Sequence, residues 1–222
     1  MMSSAGDSLP KQCGSWGDLK AAYRLLSNPQ VQPAAIQMPH RKQTLSTCAD
    51  HAVVLCVQDT TDLDLTTKTA MRGRGKLGGG TLRGLLQHTA LALAPADDDQ
   101  SLNGRPGRLL GILHQQWAAR TEPPADETLR QLQQRRTDAD VWLETANAVA
   151  QLGPTPTRLI HVGDRHSDIF RFMEGATQLG HGFVVRARYD RTLAGPDDQA
   201  IGQLFETLAD QPEMDRQLLT VH

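Results

Sequence analysis

The stretch VVLCVQDTTDLDL, residues 53–65, opens as an apolar run and closes on Asp59, Asp62 and Asp64. Its short, β-branched start between polar flanks reads as a buried strand over residues 52–58. Asp59 is then expected at the strand's end, with Asp62 and Asp64 in the loop or turn that follows. Carboxylates gathered at one strand end repel one another unless something cationic sits among them. Turn chemistry, which suits Asp and Thr, is one explanation. A metal or phosphate site is another.

Working outward, residues 85–94 and 108–116 read as two strands joined by the polar DDDQSLNGRPG, an antiparallel hairpin. Residues 127–152 are helix-rich and stop at GPTPT. RLIHVGD, residues 158–164, is again a short apolar strand ending on an aspartate, Asp164. A helix over about 167–179 follows, then the strand GFVVRAR at 182–188 and a helix at 201–211. MRGRGKLGGG, residues 71–80, reads as a loop. Upstream, Leu19, Ala22, Leu25 and Leu26 share the face of a helix over Asp18–Leu26 that Asn28-Pro29 terminates. Pro33 can start another helix, and residues 37–50 connect with some helix.

This order is strand, strand, strand, helix, strand, helix, strand. It describes a ribonuclease-H-like α/β fold, a mixed sheet flanked by helices, in which the first and fourth strands are parallel neighbours. Asp59 and Asp164 would then meet in space and together hold a divalent cation.

A chain of 222 residues suits one sizeable domain, or one domain and part of a second. Its 39% hydrophobic and 22% charged residues argue against wholesale disorder. No apolar run reaches the roughly 20 residues of a membrane helix, and the N-terminus lacks signal-peptide order. A cytoplasmic, reducing compartment is expected, since Cys13, Cys48 and Cys56 show neither disulfide nor zinc spacing. The formal charge of −2 excludes a uniformly basic nucleic-acid coat. Local clusters remain: Arg72, Arg74 and Lys76; Arg135 and Arg136; Arg186, Arg188 and Arg191. Such clusters suit phosphate backbones, although most are simply solvated surface.

Other motifs are weaker. GRGKLG at 73–78 matches a dinucleotide-binding pattern but has no βαβ context. DLDLT at 62–66 with GDRHSD at 163–168 is similar to haloacid-dehalogenase-type phosphatase signatures, with Asp62 as nucleophile, Asp64 as acid/base and Asp164 as magnesium ligand. However, Asp59 rather than Asp62 stands where that nucleophile belongs. His88 and His114 read as satisfied core residues. Trp117 and Trp142 read as packing residues.

In sequence order, AAYRLLSNPQV, VQDTTDL, GKLGGG followed by His88, LLGILHQQWAAR, VGDRHSDI and GFVVRAR resemble motifs of insertion-sequence transposases of the DDE superfamily, in the IS-four-type, Tn-five-transposase-like branch. The resemblance spans about residues 15–215. It implies cut-and-paste DNA transposition, with double-stranded transposon ends as partner and a homodimer in a synaptic complex. The location implied is the bacterial cytoplasm, in association with the nucleoid, with no membrane contact. Asp59 and Asp164 would be catalytic carboxylates and ligands of Mg²⁺, or of Mn²⁺ in its place. Two such ions about 3.5–4 Å apart serve phosphodiester hydrolysis and strand transfer. Tyr23 and Arg24 would contact the transposon end, and Arg165, Arg186 and Arg188 the phosphates.

The domains implied are a partial helical DNA-end-binding segment at 1–50, a catalytic core at 51–195 and the start of an insertion subdomain at 196–222. The chain departs from the pattern in two places. The family's Glu-Ser-x-Lys-Trp segment reads Asp138-Ala139-Asp140-Val141-Trp142. The glutamate that should complete the carboxylate set lies, in the family, beyond where this chain ends, so a truncated transposase with impaired chemistry is expected. A non-catalytic DNA-binding remnant and a phosphatase are the competing readings.

Overall fold

The computed structural model describes residues 6–96, 107–120, 126, 128 and 136–212. The chain divides into two compact units, Met1–His40 and Arg41–His222.

The first unit holds α1 (Leu9–Gln12), α2 (Trp16–Leu26) and the beginning of α3 (Pro33–Cys48). Ser15 starts α2: its hydroxyl oxygen accepts from the Asp18 backbone N–H at 3.1 Å, satisfying one of the donors a helix start leaves open. Asp18 in the first turn also suits the positive end of the helix dipole. The helix closes at Ser27, and the Asn28 side chain then accepts from the Gln30 N–H in a turn.

The second unit is built on a mixed sheet. Its long strands are β1 (Val53–Asp64), β3 (Arg83–Pro95), β4 (Gly107–Ala118), β5 (Arg158–Gly163) and β6 (Gly182–Val185), with the two-residue β2 (Gly75–Lys76) at one edge. Strand β1 lies between antiparallel β3 and parallel β5; β4 pairs with β3, and β6 runs parallel beside β5. The fold is therefore mixed α/β, a mixed sheet flanked by helices.

Side chains alternate across a strand, so every second residue shares a face. Val54 and Cys56 of β1, Ala90 and Ala92 of β3 and Leu159 of β5 are buried on one face against Leu45 and Cys48 of α3 and Val149 of α4 (Val141–Ala150). A second cluster joins Val141, Trp142 and Ala146 of α4 to Phe172 of α5 (Phe170–Gln178). Both clusters serve the site, because together they fix α4 and the β5–α5 turn over the carboxyl ends of β1 and β5.

Three local expectations need correction. The first strand does not end at Asp59 but continues to Asp64, so Asp62 and Asp64 are strand residues. Antiparallel β3 supplies backbone partners past the point where β5 stops, and the pairing reaches Asp64 opposite Gly84. The stretch 71–80 is not all loop, since Gly75 and Lys76 pair with Gly84 and Arg83. The helix expected over 201–211 is shorter: β7 (Thr192–Ala194) and β8 (Ala200–Gln203) form a hairpin first, and α6 spans only Leu204–Ala209. The hairpin turns where Gly195 N–H donates to Gln199 O and Asp198 takes a positive φ of 57°. Residues 127 and 129–135, part of the expected 127–152 helix, lie outside the described residues.

Candidate functional site

Parallel pairing of β1 with β5 runs from Val53–Arg158 to Val57–Val162. Asp59 and Asp164 each come two positions after that last pair in sequence. Asp59 stays within β1, opposite Thr89 of β3, whereas Asp164 directly follows the last residue of β5; both are exposed. The Asp164 carboxylate accepts from the His166 backbone N–H at 2.8 Å and contacts His166 Nδ1 at 2.9 Å, in the 3₁₀ turn Arg165–Ser167. Asp64 serves a different purpose. One of its oxygens accepts from the Thr66 N–H at 2.9 Å and its hydroxyl at 2.6 Å, which ends the strand in a turn and lowers the Asp64 pKa.

Beside this strand end lies a cleft of about 610 Å³ under the start of α4. Thr60, Asp62 and His88 line it from the sheet, and Trp142 from α4. Arg165, Asp168 and Arg188 close it from the β5 and β6 side. The His88 and Trp142 rings meet edge to face at 4.9 Å. Asp59 also borders the cleft. Asp164 and Arg186 are not among its lining residues; Arg186 donates its backbone N–H to Gly163 O and is exposed.

The charges of the cleft divide into paired and open. Arg120 lies 2.6 Å from Asp138, and Arg136 grips Glu144 with two contacts of 2.6 Å. That grip lowers the Glu144 pKa and raises that of Arg136. Asp168 is buried and pairs with Arg191. Arg165 and Arg188 have no carboxylate partner among the described residues; the Arg188 guanidinium instead lies 5.1 Å from the centre of the Tyr189 ring. Two guanidiniums without a carboxylate partner among the described residues therefore line a cleft that Asp62, and at its margin Asp59, also border. This arrangement can take a phosphate on one side and a cation on the other. Among the described residues no three His, Cys, Asp or Glu side chains gather as a complete metal cluster.

Sequence reasoning passed over Gln58, His161, His181 and Asp168. Gln58, His88 and His161 are buried polar residues bonded to one another across three strands. Burial holds the His88 pKa down to about 4 and the His161 pKa to about 3, so both rings are neutral near pH 7. The usable signal was a polar side chain at an inward position of each strand. The core reading of His88 holds, with both ring nitrogens bonded. His114 is buried too, and its Nδ1 meets Arg41, but its Nε2 has no partner among the described residues.

In the first unit, Tyr23 and Arg24 both lie exposed on α2, and so does Trp16. Residues 1–31 match the family model for transposase DNA-binding. That match covers α1, α2 and the turn after them, and it points to a transposase-related DNA-binding role with DNA as the partner. No helix among the described residues is long and apolar enough to cross a membrane.

Proposed function

We propose that this chain is a cut-and-paste DNA transposase of the DDE superfamily, IS-four-type branch. Its N-terminal helices would bind the transposon end, and the sheet would be a ribonuclease-H-like core carrying Asp59 and Asp164 as catalytic carboxylates. The single observation carrying the reading is the match of residues 1–31 to transposase DNA-binding. The pairing of β1 with β5 supports the rest, because Val57 and Val162 are partners and Asp59 and Asp164 each follow two positions later in sequence.

The donor set fits a divalent cation. Both aspartates offer hard oxygen ligands, and both are exposed enough to receive an ion that keeps most of its waters. Asp59 and Asp164 would hold Mg²⁺ or Mn²⁺; the chemistry such an ion supplies is activation of water and charge stabilisation at a phosphodiester. Arg165 and Arg188 would orient phosphate oxygens from the far lip of the cleft, with Arg186 outside it, just past the end of β6. Of the described glutamates after Asp164, Glu174 lies in α5 and Glu206 in α6, and neither lines the cleft. The two aspartates therefore work without a third carboxylate from these positions, and DNA binding is the stronger expected activity. Assembly would be a homodimer on paired DNA ends, in the nucleoid.

The test is DNA binding by fluorescence anisotropy across a salt series. Affinity should fall steeply with added salt, as phosphate contacts require. Arg24→Ala should lower affinity severalfold and make the salt dependence shallower. Salt-independent binding, or an Arg24→Ala variant identical to the parent, would overturn the reading.

A further inference from the structure

Between Leu65 and Ala96 the chain carries no Asp or Glu, and residues 65–84 hold five cations: Lys68, Arg72, Arg74, Lys76 and Arg83. Most charge runs are solvated surface with no fixed shape. This one is held in place from within. Arg74 Nε donates to Met71 O at 2.9 Å, and its Nη1 donates to Leu65 O at 2.8 Å and Thr66 O at 3.1 Å. Its Nη2 donates to Thr69 O at 3.1 Å. One guanidinium thus closes the backbone of residues 65–71 around itself, a task that suits its planar fork and not an ammonium.

The stretch is anchored beyond Arg74 as well. Gly73 takes a positive φ of 76°, which reverses the chain just before Arg74. Leu77 is buried, at 2% exposure. Gly75 packs so closely on Arg120 that a Cβ there would lie 2.5 Å from its backbone N and O. Arg120 lines the cleft, so the anchored stretch adjoins it.

With Arg74 turned inward, the other cations remain outside. Lys68, Arg72, Lys76 and Arg83 are all exposed. Lys68, Arg72 and Lys76 have no carboxylate partner among the described residues. Lys76 also stands directly opposite Arg83 in the antiparallel β2–β3 pair. Like charges at opposed positions destabilise a sheet. A bound anion reverses that effect.

We propose that Leu65–Lys76, closed on Arg74, is a second phosphate-binding surface that takes the backbone of duplex DNA beside the cleft. Lys68, Arg72 and Lys76 contact phosphate oxygens, and Arg74 is a positioning residue that touches no DNA. Cations spread along a loop suit the successive phosphates of a backbone better than one small anion. The chain's formal charge of −2 leaves no general cation excess, so this surface is a local one. That the polyanion is DNA rests on the transposase reading proposed above, whereas the construction of the loop does not.

Two measurements test it. In anisotropy titrations of a DNA duplex, the triple variant Lys68→Ala, Arg72→Ala, Lys76→Ala should bind about tenfold more weakly or worse near 0.1 M salt. Its salt slope should be smaller by about two to three, close to one for each lost phosphate contact. Arg74→Lys keeps the charge, loses the fork that holds the carbonyls and should weaken binding severalfold. Arg158→Ala, at the amino end of β5 and so at the opposite end of the sheet, should leave affinity nearly unchanged. Lysine acetylation read by mass spectrometry should show Lys68 and Lys76 protected when DNA is bound. A triple variant equal to the parent, while Arg24→Ala still weakens binding, would refute the loop surface and leave the transposase reading standing. A loss in Arg158→Ala as large as the triple variant's would show that net charge alone acts, and would refute it too. Arg74→Lys equal to the parent would overturn the positioning role. Binding by the parent that ignores salt, or no binding, would refute both the surface and the reading.

Discussion

Asp168 and Arg191 form a buried clamp at the edge of the cleft. Arg191 Nη1 lies 2.5 Å from one Asp168 carboxylate oxygen, and Arg191 Nη2 donates to the Asp168 backbone carbonyl at 2.8 Å. The other carboxylate oxygen accepts from the Arg188 N–H at 2.7 Å. One side chain, 3% exposed, thus ties the segment after β6 to the turn before α5.

Asp168→Ala should therefore cost about 2–3 kcal/mol of stability. Breaking a buried pair costs about 3–5 kcal/mol, and the partial solvation of Arg191 discounts that figure. Chemical denaturation checks the value. DNA affinity should also fall, because Arg188 loses its anchor. A change under about 0.5 kcal/mol would mean that water replaces the clamp without loss.

Acid should unfold the second unit through its buried histidines. The folded pKa values of His88 and His161, about 4 and about 3, lie below the ordinary histidine value. The unfolded chain therefore binds more protons than the folded one as pH drops. Their stability contribution is complete above about pH 6.5 and is lost as pH falls from there toward the folded values, at about 1.4 kcal/mol per pH unit for each ring. Urea midpoints at pH 7, 6 and 5 should decline with steepening slope. His161→Gln, if it folds, should flatten that decline. A midpoint independent of pH over this range would contradict the burial of both rings.

Gly163 sits immediately before Asp164, and a Cβ there would lie 2.7 Å from the Trp142 ring and closer still to Ser167. Gly163→Ala should cost about 1–3 kcal/mol through overpacking. It should also displace the Asp164 turn relative to β1, so any Mn²⁺ affinity should drop with it. A stable variant with unchanged metal affinity would show that the turn tolerates the shift.

How much of this was legible in the sequence depended on how local each cause was. An apolar run closing on an aspartate marked both β1 and β5, and the order of elements made them parallel neighbours, as the sheet has them. The extension of β1 to Asp64 was not legible, since it depends on β3, whose pairing residues lie twenty or more positions away. The β7–β8 hairpin was hidden because Ile201, Leu204 and Leu208 fit a helical spacing, although Ile201 belongs to β8 and only Leu204 and Leu208 to the helix. The hydrogen-bonded chain Thr60–His88–Gln58–His161–His181 left only isolated polar letters in apolar strands. Its members are joined by register, which no local pattern records.

The account turns on Asp59 and Asp164 sharing one ion, and a double-mutant cycle of Mn²⁺ affinity measures that directly. Asp59→Asn and Asp164→Asn should each weaken binding about tenfold or more. The double variant should be little worse than either single one, because residues acting on one ligand are not additive. Affinity that survives both substitutions, or losses that simply multiply, would place the aspartates at separate sites and contradict the account.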